Sequence, residues 1–510
     1  MRNRFASGSS ILLAAVLTPL FIACSSTPSS NSAPVAAVKQ PSTPYRPQLD
    51  AAQAARYSYA EVLKTTGTAG AMVTDPWDPL SDAFMSRKTT VTPDYIVDLN
   101  GSADGAKHFK SIQAAINKVT QDVAASGRKE RVYISVAEGT YNELVYVPSL
   151  SAPITLYSGE PSMWRKFTSW FSSTKPETFK ARIAVAIDAG MPGDEFVQKF
   201  GAEFKDVPTS IAAMYDIQAK RGKSSIGTSG SAMVWIKNDG FQARDIVFDN
   251  TYNEDRGCKE ALNAKGQCAS GNHQAVAFLI DAADKVYVEN GRFIGNQDTL
   301  YFKSSAVGKT NRSFYNNSYV EGDVDFIFGR ATAFFRKTEI KSLGERSTTV
   351  MATAPSTNIA TPYGIVFDDC DFTSDGLGVA AKAETYLARQ WFEGQRCSPY
   401  GDARDKCAID PTNKQEVTAT VLRKENLETV GKTIVMNSRL GAHINKAGWS
   451  DWESSPSKTA YRKATVSSDA FFDNLLAAGK DPAGLGYFKK NPVEYFLAEF
   501  NNSGPGASPN

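Results

Sequence analysis

The sequence predicts an all-β fold, a parallel β-helix in which each coil of the chain stacks on the coil before it. Beyond residue 230, segments such as FQARDIVFDN and SFYNNSYVEGD recur, with two or three strand-forming residues, a polar pair and then an apolar residue. Aligning these segments brings Asn290, Asn317 and Lys337 into register, at steps of 27 and 20 residues. A drifting period of this length that is carried by strands indicates a solenoid of β coils. Amphipathic helices of crossover length do not separate the strands, which disfavours a doubly wound sheet and leaves a β-sandwich with long loops as the alternative.

The N-terminal residues have the pattern of an export signal. A basic start is followed by an apolar run over residues 11–22, which is too short to span a bilayer comfortably. The run ends at Ala23-Cys24-Ser25, which resembles the cleavage box of bacterial lipoproteins, in which the cysteine carries the lipid. We therefore predict a lipoprotein signal peptide over residues 1–23, a lipid on Cys24 and, from Ser25, an outer-membrane location in a Gram-negative bacterium. The alternative is an ordinary secretory signal with an incidental cysteine.

Composition separates a linker from the folded part of the chain. Residues 24–50 are rich in Ser, Pro, Ala and Gln, which predicts a disordered tether. Residues 51–89 are predicted to form an N-terminal extension with a short helix over residues 51–63. Residues 90–510 are predicted to form the β-helix domain.

Within that domain, the pattern of apolar residues predicts the type of each segment. Helical spacing of apolar residues predicts a helix over residues 108–119. Two strands are predicted within residues 131–147, and a further strand within residues 154–162. Residues 163–222 then interrupt the β pattern with Trp, Lys and helix-forming residues, so we predict a partly helical insertion there.

The overall composition is typical of a globular protein. Of the 510 residues, 42% are hydrophobic and 22% are charged, and the formal net charge is +2, or close to zero once the two arginines of the signal peptide are removed. A balanced charge gives no support for a nucleic-acid partner. We expect a monomer.

Five cysteines remain after the signal peptide. Cys258 and Cys268 are ten residues apart, and so are Cys397 and Cys407. Export permits disulfides, so we predict two local ones with these pairings. A metal site would need tighter C-x-x-C spacing with histidines nearby, and the chain has three histidines in all, so no metal is predicted. Cys370 is predicted to be a buried strand thiol.

The stretch GNQDTLYF, residues 295–302, places an amide and a carboxylate inside an otherwise strand-forming region. Asp298 lies 27 residues before Asp325, and Gln274 lies 23 residues before Gln297, so both intervals equal about one coil. Because neighbouring strands are about 4.8 Å apart, these residues should stack on three successive coils. The sequence therefore predicts two carboxylates close together, with amide donors on the same face.

Two adjacent carboxylates have a definite chemistry. Both cannot ionise cheaply, so one is protonated and can act as an acid while the other can attack as a nucleophile. Glutamine amides can stabilise an oxyanion. The chain has no G-x-S-x-G motif of a serine hydrolase. The alternative is a polar ladder that fills the turns of the coils.

At these residues the sequence resembles a known family. GNQDTLYF and GDVDFIFG are similar to the two signature blocks of the pectin methylesterases, carbohydrate esterase family 8. Further matching pieces occur in family order: EGTYNE at 138–143, ITLYSGEP at 154–161, QAVAF at 274–278, ATAPSTN at 352–358, LARQW at 387–391 and HINKAGW at 443–449. The resemblance covers roughly residues 90–510 without the insertion, and it implies a right-handed parallel β-helix of the pectin-lyase type.

The resemblance also implies roles for individual residues. By position they are the nucleophile Asp325, the general acid and then base Asp298, the oxyanion donors Gln297 and Gln274, the arginine Arg389 that pairs with the nucleophile, and the sugar-packing aromatic Trp391. For Arg389 and Trp391 the alternatives are a surface ion pair and a core aromatic. The family commonly has LGRPW where this chain has LARQW, so the local shape of that loop is expected to differ.

The implied function is hydrolysis of the methyl esters of galacturonan, with methylated pectin or oligogalacturonides as partner and with no cofactor or metal. The first rival is an acyl thioester hydrolase of the same fold; its lipoprotein relatives lack the acid aspartate, whereas Asp298 is present here. The second is a non-catalytic polysaccharide-binding β-helix of the envelope, which would not need both carboxylates and Arg389. Glycosidases also use paired carboxylates, but the flanking motifs disfavour that chemistry.

Overall fold

The computed structural model describes residues 46–508 with several gaps. The gaps are residues 69–70, 160–180, 253–272, 307, 331, 359–360, 390, 392–407, 410–420, 423–428, 451, 455–458 and 463–496. All described residues lie within one compact unit, Lys39–Asn510.

The described chain winds through three parallel sheets, passing once through each sheet in most coils. Sheet 1 has eleven strands, which are His108–Phe109, Tyr95–Val97, Val132–Val136, Ile154–Ser158, Gln242–Arg244, Val286–Glu289, Arg312–Asn316, Thr332–Arg336, Ile365–Asp368, Thr433–Met436 and Leu497–Phe500. Sheet 2 has eight strands, which are Gly139–Tyr141, Ala181–Val185, Ile246–Asn250, Arg292–Ile294, Tyr319–Gly322, Glu339–Ser342, Asp371–Ser374 and Arg439–Leu440. Sheet 3 has eight strands, which are Val145–Val147, Val234–Ile236, Phe278–Asp281, Leu300–Lys303, Val324–Gly329, Val350–Pro355, Thr385–Arg389 and Trp449–Ser450. The predicted right-handed parallel β-helix is confirmed, and the β-sandwich alternative is wrong.

The turn from sheet 1 to sheet 2 fixes the register of the coils. It is occupied by residues with φ between +49° and +62°, which are Asp245, Asn290, Asn317, Lys337, Asp369, Asn437 and Asn501. Asn and Asp tolerate this left-handed conformation better than most residues, because their short side chains can hydrogen-bond locally. The side chains also bond along the ladder: Asn290 Nδ2 donates to Asp245 Oδ1 at 2.5 Å, and Asn501 Nδ2 donates to Asn437 Oδ1 at 3.0 Å. The predicted alignment of Asn290, Asn317 and Lys337 is therefore confirmed.

Rings stack in the same order as the coils inside the helix. Tyr315 lies over Phe335 with ring centroids 4.4 Å apart, and Phe335 lies over Phe367 at 4.9 Å. Because successive coils place equivalent residues one above another, an aromatic position in one coil is matched by an aromatic position in the next.

One helix covers the N-terminal end of this core. Ile112–Ser126 buries Ile116, Val119 and Val123 against it. The predicted helix over 108–119 is correct in type but displaced, since the preceding residues His108–Phe109 join sheet 1. The Glu143 carboxylate accepts the free backbone N–H groups of the first turn at 2.8 and 2.9 Å, which satisfies donors that have no partner within the helix.

The segment of residues 46–89, here called the N-terminal strap, lies along the outer face of sheet 1. Leu63, Phe84 and Met85 are buried there against aromatic side chains of that face, among them Phe314. The Arg312 side chain is fully buried and joins the two layers: it donates to the Leu63 and Asp75 carbonyls and forms ion pairs with Asp75 and Asp284, both at 2.6 Å.

Two expectations for this region are wrong in detail. Residues 46–49 were expected within the disordered tether, but Arg46, Gln48 and Leu49 are buried. Arg46 forms an ion pair with Glu499 of the last coil at 2.6 Å, with both side chains 2% exposed or less. The helix expected over 51–63 is two short helices, Ala51–Ala55 and Tyr59–Val62, because the chain turns between them.

The insertion also differs from its expected bounds. Ala181–Val185 is a regular strand of sheet 2 that pairs with Gly139–Tyr141 and Ile246–Asn250, so residues 181–185 belong to a coil. The helical excursion follows this strand, as Gly193–Phe200, Thr209–Ala219 and the short Gly227–Gly230. It packs on the outer face of sheet 3, where the Phe204 and Tyr146 rings are 5.0 Å apart.

The remaining elements are short. Residues 131–147 contain three strands where two were expected. An antiparallel hairpin of the strap, Thr65–Thr68 with Ala71–Thr74, pairs with Lys309–Thr310. The other elements are the pairs Thr357–Asn358 with Thr429–Val430, Ala408–Ile409 with Val421–Leu422 and Trp452–Ser454 with Thr459–Arg462, and the 3₁₀ turns Pro79–Ser81 and Ala380–Lys382. Within the described ranges, no helix has both the length and the apolar character needed to cross a membrane.

The Arg46–Glu499 pair gives a test of how firmly the strap is attached. Arg46→Gln should lower the free energy of unfolding by about 3–5 kcal/mol, because it leaves the Glu499 carboxylate buried without its partner. The measurement is urea unfolding followed by tryptophan fluorescence. The matched control is Lys64→Gln, which removes an exposed ion pair with Glu61 and should cost less than about 1 kcal/mol. Equal effects of the two changes would contradict a strap that is anchored at this point.

Candidate active site

The predicted site residues lie on or beside sheet 3, on neighbouring coils. Gln274 precedes the third strand of the sheet, Gln297 and Asp298 precede the fourth, Asp325 lies in the fifth, and Arg389 ends the seventh.

Backbone hydrogen bonds fix the alignment of these coils. Ala275 N donates to the Gln297 carbonyl at 3.0 Å, and Asp298 N donates to the Val324 carbonyl at 3.1 Å. The residues that follow Asp298 and Asp325 pair directly, Leu300 opposite Ile327. The predicted stack of amide and carboxylate residues on three successive coils is therefore confirmed.

The two loops that carry the aspartates are held tightly together. Asp323 N donates to the Asn296 carbonyl at 3.1 Å, and Thr299 Oγ1 donates to the Glu321 carbonyl at 2.9 Å. A Cβ at Gly322 would lie 2.4 Å from the Asn296 carbonyl oxygen, so only glycine permits this approach.

Both aspartates have a left-handed backbone. The φ angles are +66° at Asp298 and +52° at Asp325, and the pairing of the strand that carries Asp325 shifts register between Val324 and Ile327. A bulge of this kind redirects a side chain that regular pairing would place elsewhere, and bulges are frequent beside active sites.

Arg389 holds the Asp325 carboxylate in a two-point contact. Its Nε donates to Oδ1 at 2.8 Å and its Nη2 donates to Oδ2 at 2.5 Å. The Asp325 side chain is 8% exposed and the Arg389 side chain 19% exposed. A guanidinium in this fork geometry stabilises a carboxylate anion and fixes its direction. Asp325 is thus an oriented anion at the edge of solvent.

Asp298 is the member of the pair whose protonated form is favoured. Burial raises the pKa of Asp298 well above its ordinary value, and the charges of Asp325 and Asp323 raise it further, while Arg389 acts in the opposite direction. A carboxyl whose protonated form is favoured therefore lies beside a carboxylate held by a guanidinium, an arrangement that can supply a proton donor and a nucleophile.

The two glutamines complete the polar face. Both are half-buried, and within the described residues no hydrogen-bond donor reaches the buried Gln274 Oε1. The backbone of Gln274 is held by the root of the helical insertion, since Ala189 N donates to the Gln274 carbonyl at 2.8 Å. The insertion is therefore bonded to the backbone of Gln274, on the coil before the one that carries Asp298.

Trp391 extends the site with an aromatic surface. It is half-buried, and its ring meets the Phe328 ring edge-on with centroids 5.7 Å apart. Phe328 in turn stacks on Tyr301 at 4.1 Å. Trp391 therefore packs partly against the core, as the alternative held, and also keeps part of its ring at the surface.

The sequence reasoning missed a second ion pair directly behind the site. The Asp323 side chain is completely buried and pairs with Arg346, whose Nε and Nη2 donate to it at 2.7 and 2.8 Å. Asp323 is two residues before Asp325 in the sequence. That spacing could have marked Asp323 as a residue close to the site, but it gave no indication that Arg346 is its partner.

Most of the cysteines with a predicted role lie outside the residues that the structure describes. Cys24 and the two predicted pairs, Cys258 with Cys268 and Cys397 with Cys407, lie outside the described residues. Cys370 is buried as predicted, but at the corner between two strands rather than within one. Burial raises the pKa of its thiol to about 12, so it is unreactive at neutral pH.

Comparison with known proteins matches the chain over most of its length. A pectinesterase of Ralstonia solanacearum is 30% identical over 445 residues, which is 86% of this chain and 92% of that protein. The chain belongs to the pectinesterase family. The Pectinesterase family model matches residues 210–397, a range that contains the six site residues from Gln274 to Trp391.

Two further matches are a solved structure and a relative with a different name. The structure of rice weevil pectin methyl esterase is 26% identical with a TM-score of 0.62, and the match covers 92% of this chain and 99% of that one. A putative acyl-CoA thioester hydrolase, YbhC of Escherichia coli (strain K12), is 30% identical over 385 residues, which is 73% of this chain and 79% of that protein.

The raised pKa of Asp298 makes a prediction about stability. A carboxyl whose pKa is raised by folding contributes stability that is present below the unfolded pKa, near 4, and is lost as pH rises through the folded pKa. Asp298→Asn removes this loss. The variant should therefore become more stable relative to the wild type as pH rises from 4 to 8, by up to about 1.4 kcal/mol per pH unit, as measured by urea unfolding.

The control for this prediction is Asp104→Asn, whose stability difference from the wild type should stay constant between pH 4 and 8 and shrink only below pH 4. The pKa of Asp104 is lowered, first by the backbone N–H of His108 and then by the His108 ring. Its contribution to stability is thus present at neutral pH and lost on acidification. A stability difference for Asp298→Asn that does not change with pH would contradict a protonated Asp298.

Proposed function

We propose that the protein hydrolyses the methyl esters of galacturonan, the polymer of pectin, releasing methanol and leaving free carboxylates. The observation that carries this proposal is the oriented Asp325 anion next to the buried, protonated Asp298, in a chain of the pectinesterase family. Carboxylic ester hydrolysis needs a nucleophile, an oxyanion site and a proton for the leaving group, and the site offers a candidate for each.

The first half of the reaction forms an acyl-enzyme. An oxygen of the Asp325 carboxylate attacks the carbonyl carbon of the methyl ester, and the amide N–H groups of Gln274 and Gln297 donate to the oxyanion that forms. As the bond to the methoxy oxygen breaks, Asp298 donates its proton to that oxygen. Methanol leaves, and Asp325 is joined to the substrate as an anhydride.

The second half restores the site. Asp298, now a carboxylate, takes a proton from water, and the water oxygen attacks the acyl carbon. Asp325 departs as the carboxylate, which Arg389 receives in its two-point contact. The product leaves as a uronic acid, which ionises to the free uronate by releasing its proton to solvent, and Asp298 is again protonated. Each residue ends in its initial state, so the cycle uses no external acid or base.

Substrate contacts follow from the surface beside the site. Trp391 follows Arg389 by two residues in the sequence. The exposed part of its ring can pack against the face of a sugar ring. We therefore assign it to binding of methylated pectin or oligogalacturonides rather than to the chemical steps.

Thioester hydrolysis is the second candidate, because of the likeness to YbhC. The same nucleophile could attack a thioester. A thiol has a pKa near 8.5 and leaves readily as the anion, whereas methanol is a far weaker acid and its departure depends on a proton donor. A buried carboxyl with a raised pKa is therefore of more use to an oxygen ester, and the presence of Asp298 favours methyl esterase activity.

We also propose that the protein is a monomer, tethered to the outer membrane by a lipid on Cys24, with disulfides Cys258–Cys268 and Cys397–Cys407. The support is the sequence pattern at Ala23-Cys24-Ser25 and the equal spacing of the cysteine pairs.

The catalytic roles predict graded losses of methanol release from methylated pectin. Asp325→Ala should remove nearly all turnover, because it removes the proposed nucleophile. Asp298→Asn should lose about 10²–10⁴-fold, the usual contribution of a general acid–base group. Gln297→Ala should lose about 10²–10³-fold as an oxyanion donor. The purified variants should keep the circular dichroism spectrum of the wild type.

The matched control is Asp371→Asn, which changes an exposed aspartate of sheet 2 that pairs with Arg439. It should retain wild-type methanol release. A thioester substrate tested in parallel separates the two candidate functions. If Asp298→Asn loses methyl ester activity but keeps full thioester activity, the site hydrolyses both kinds of ester and needs Asp298 only for the methyl ester. If the wild type cleaves the thioester alone, the methyl esterase proposal is wrong.

The lipid attachment is tested in a bacterial host. Radiolabelled fatty acid should be incorporated into the wild type and not into Cys24→Ser, because the modified atom is the cysteine sulfur. Ser25→Ala keeps that cysteine and should still be labelled. Labelling of Cys24→Ser at the wild-type level would exclude the lipoprotein assignment.

A further inference from the structure

A second ion pair, Asp323 with Arg346, lies behind the proposed catalytic aspartates and has no role in the reaction described above. The Asp323 side chain is 0% exposed and the Arg346 side chain 14% exposed. Such a pair carries a large desolvation cost, and an apolar pair of the same volume would often serve stability as well. Its position therefore needs a reason other than stability.

Asp323 links the two loops that carry the catalytic aspartates. Its backbone N–H donates to the Asn296 carbonyl, two residues before Asp298, and its Oδ1 accepts the N–H of Val324 at 2.6 Å. The Val324 carbonyl then accepts the N–H of Asp298. A continuous path of hydrogen bonds thus runs from Arg346 through Asp323 to the backbone of Asp298.

Asp323 also adds to the charge around Asp298. The charged groups that face the Asp298 carboxyl are Asp325, Arg389 and Asp323, and the two aspartates both favour its neutral form. Gln274 and Gln297, the other predicted site residues on these coils, are uncharged. Asp325 is expected to lose its negative charge each time it is acylated, whereas Arg346 holds the Asp323 carboxylate in a two-point contact. Burial raises the pKa of Asp323, and Arg346 and the Val324 N–H oppose that rise.

We infer that Asp323 and Arg346 are positioning residues that keep Asp298 in place and in its acid form, with Arg346 orienting the Asp323 carboxylate. The inference rests on the proposed methyl esterase function. Asp323 touches neither the substrate nor the reacting atoms. The negative charge that Asp323 carries when it is paired with Arg346 favours the proton-donor form of Asp298 and opposes the effect of Arg389.

The pH profile of kcat/KM tests this role. In the proposed mechanism Asp298 has to be protonated when methanol leaves, so activity falls at alkaline pH as Asp298 ionises. Asp323→Asn keeps the shape and an oxygen for the Val324 N–H but removes the charge. Its alkaline limb should move to lower pH, on the order of one unit.

Two further variants separate the charge from the contact. Arg346→Lys keeps the positive charge but loses the fork, so kcat should fall several-fold while the alkaline limb stays at the wild-type pH. The double variant Asp323→Asn/Arg346→Met removes both charges, so its limb should move less than that of Asp323→Asn alone. Circular dichroism and the urea midpoint of each variant establish that it is folded.

The outcomes distinguish the inference from the proposed function. If the wild type releases methanol, and Asp323→Asn loses activity equally at every pH with its limb unmoved, Asp323 is a structural clasp and the inference is wrong. If instead the wild type releases no methanol from any methylated galacturonan, the proposed function itself fails.

Discussion

The direct stacking of one coil on the next is the constraint on which the site depends. In a parallel β-helix each backbone bonds to the coils on either side, so equivalent residues lie about 4.8 Å apart. The left-handed Asn and Asp turns between sheets 1 and 2 keep that register without slippage. Once Asp298 and Asp325 occupy equivalent positions, the backbone holds them close together even though two negative charges would repel each other.

Closeness of this kind creates an electrostatic problem that the surrounding residues solve together. Three buried carboxylates, Asp298, Asp323 and Asp325, are grouped with two guanidinium groups, those of Arg346 and Arg389. Neutrality in a region of low dielectric therefore requires one proton, and the carboxyl without a guanidinium partner retains it. Because there are two arginines for three aspartates, one aspartate is left to serve as the acid of the proposed reaction. Arg346 binds Asp323 and Arg389 binds Asp325, so that aspartate is Asp298.

Features that follow the coil repeat could be predicted from the sequence, and features that do not follow it were missed. Asp298, Asp325 and the two glutamines were found because their spacing equals one coil, and Arg389 and Trp391 through a family motif. Arg346 lies in a segment between strands with no repeating pattern, so its contact with Asp323 had no signal. The strand Ala181–Val185 was assigned to the insertion because helix-forming residues surround it. Residues 46–49 look like a linker in composition, and their burial depends on Glu499, which no local pattern indicates.

The strap has a consequence for how the protein is made. Arg46 and Glu499 are separated by 453 residues, so the first described segment to be synthesised waits for almost the last one before its contacts can form. Closing so long a loop is slow, because the entropy of the intervening chain is lost before the contact rewards it. Until then the Arg46 end of the strap lacks its buried ion-pair partner, whereas the part that contacts Arg312 can dock on coils synthesised earlier. Docking of the strap is therefore complete only after the strand Leu497–Phe500 has been synthesised.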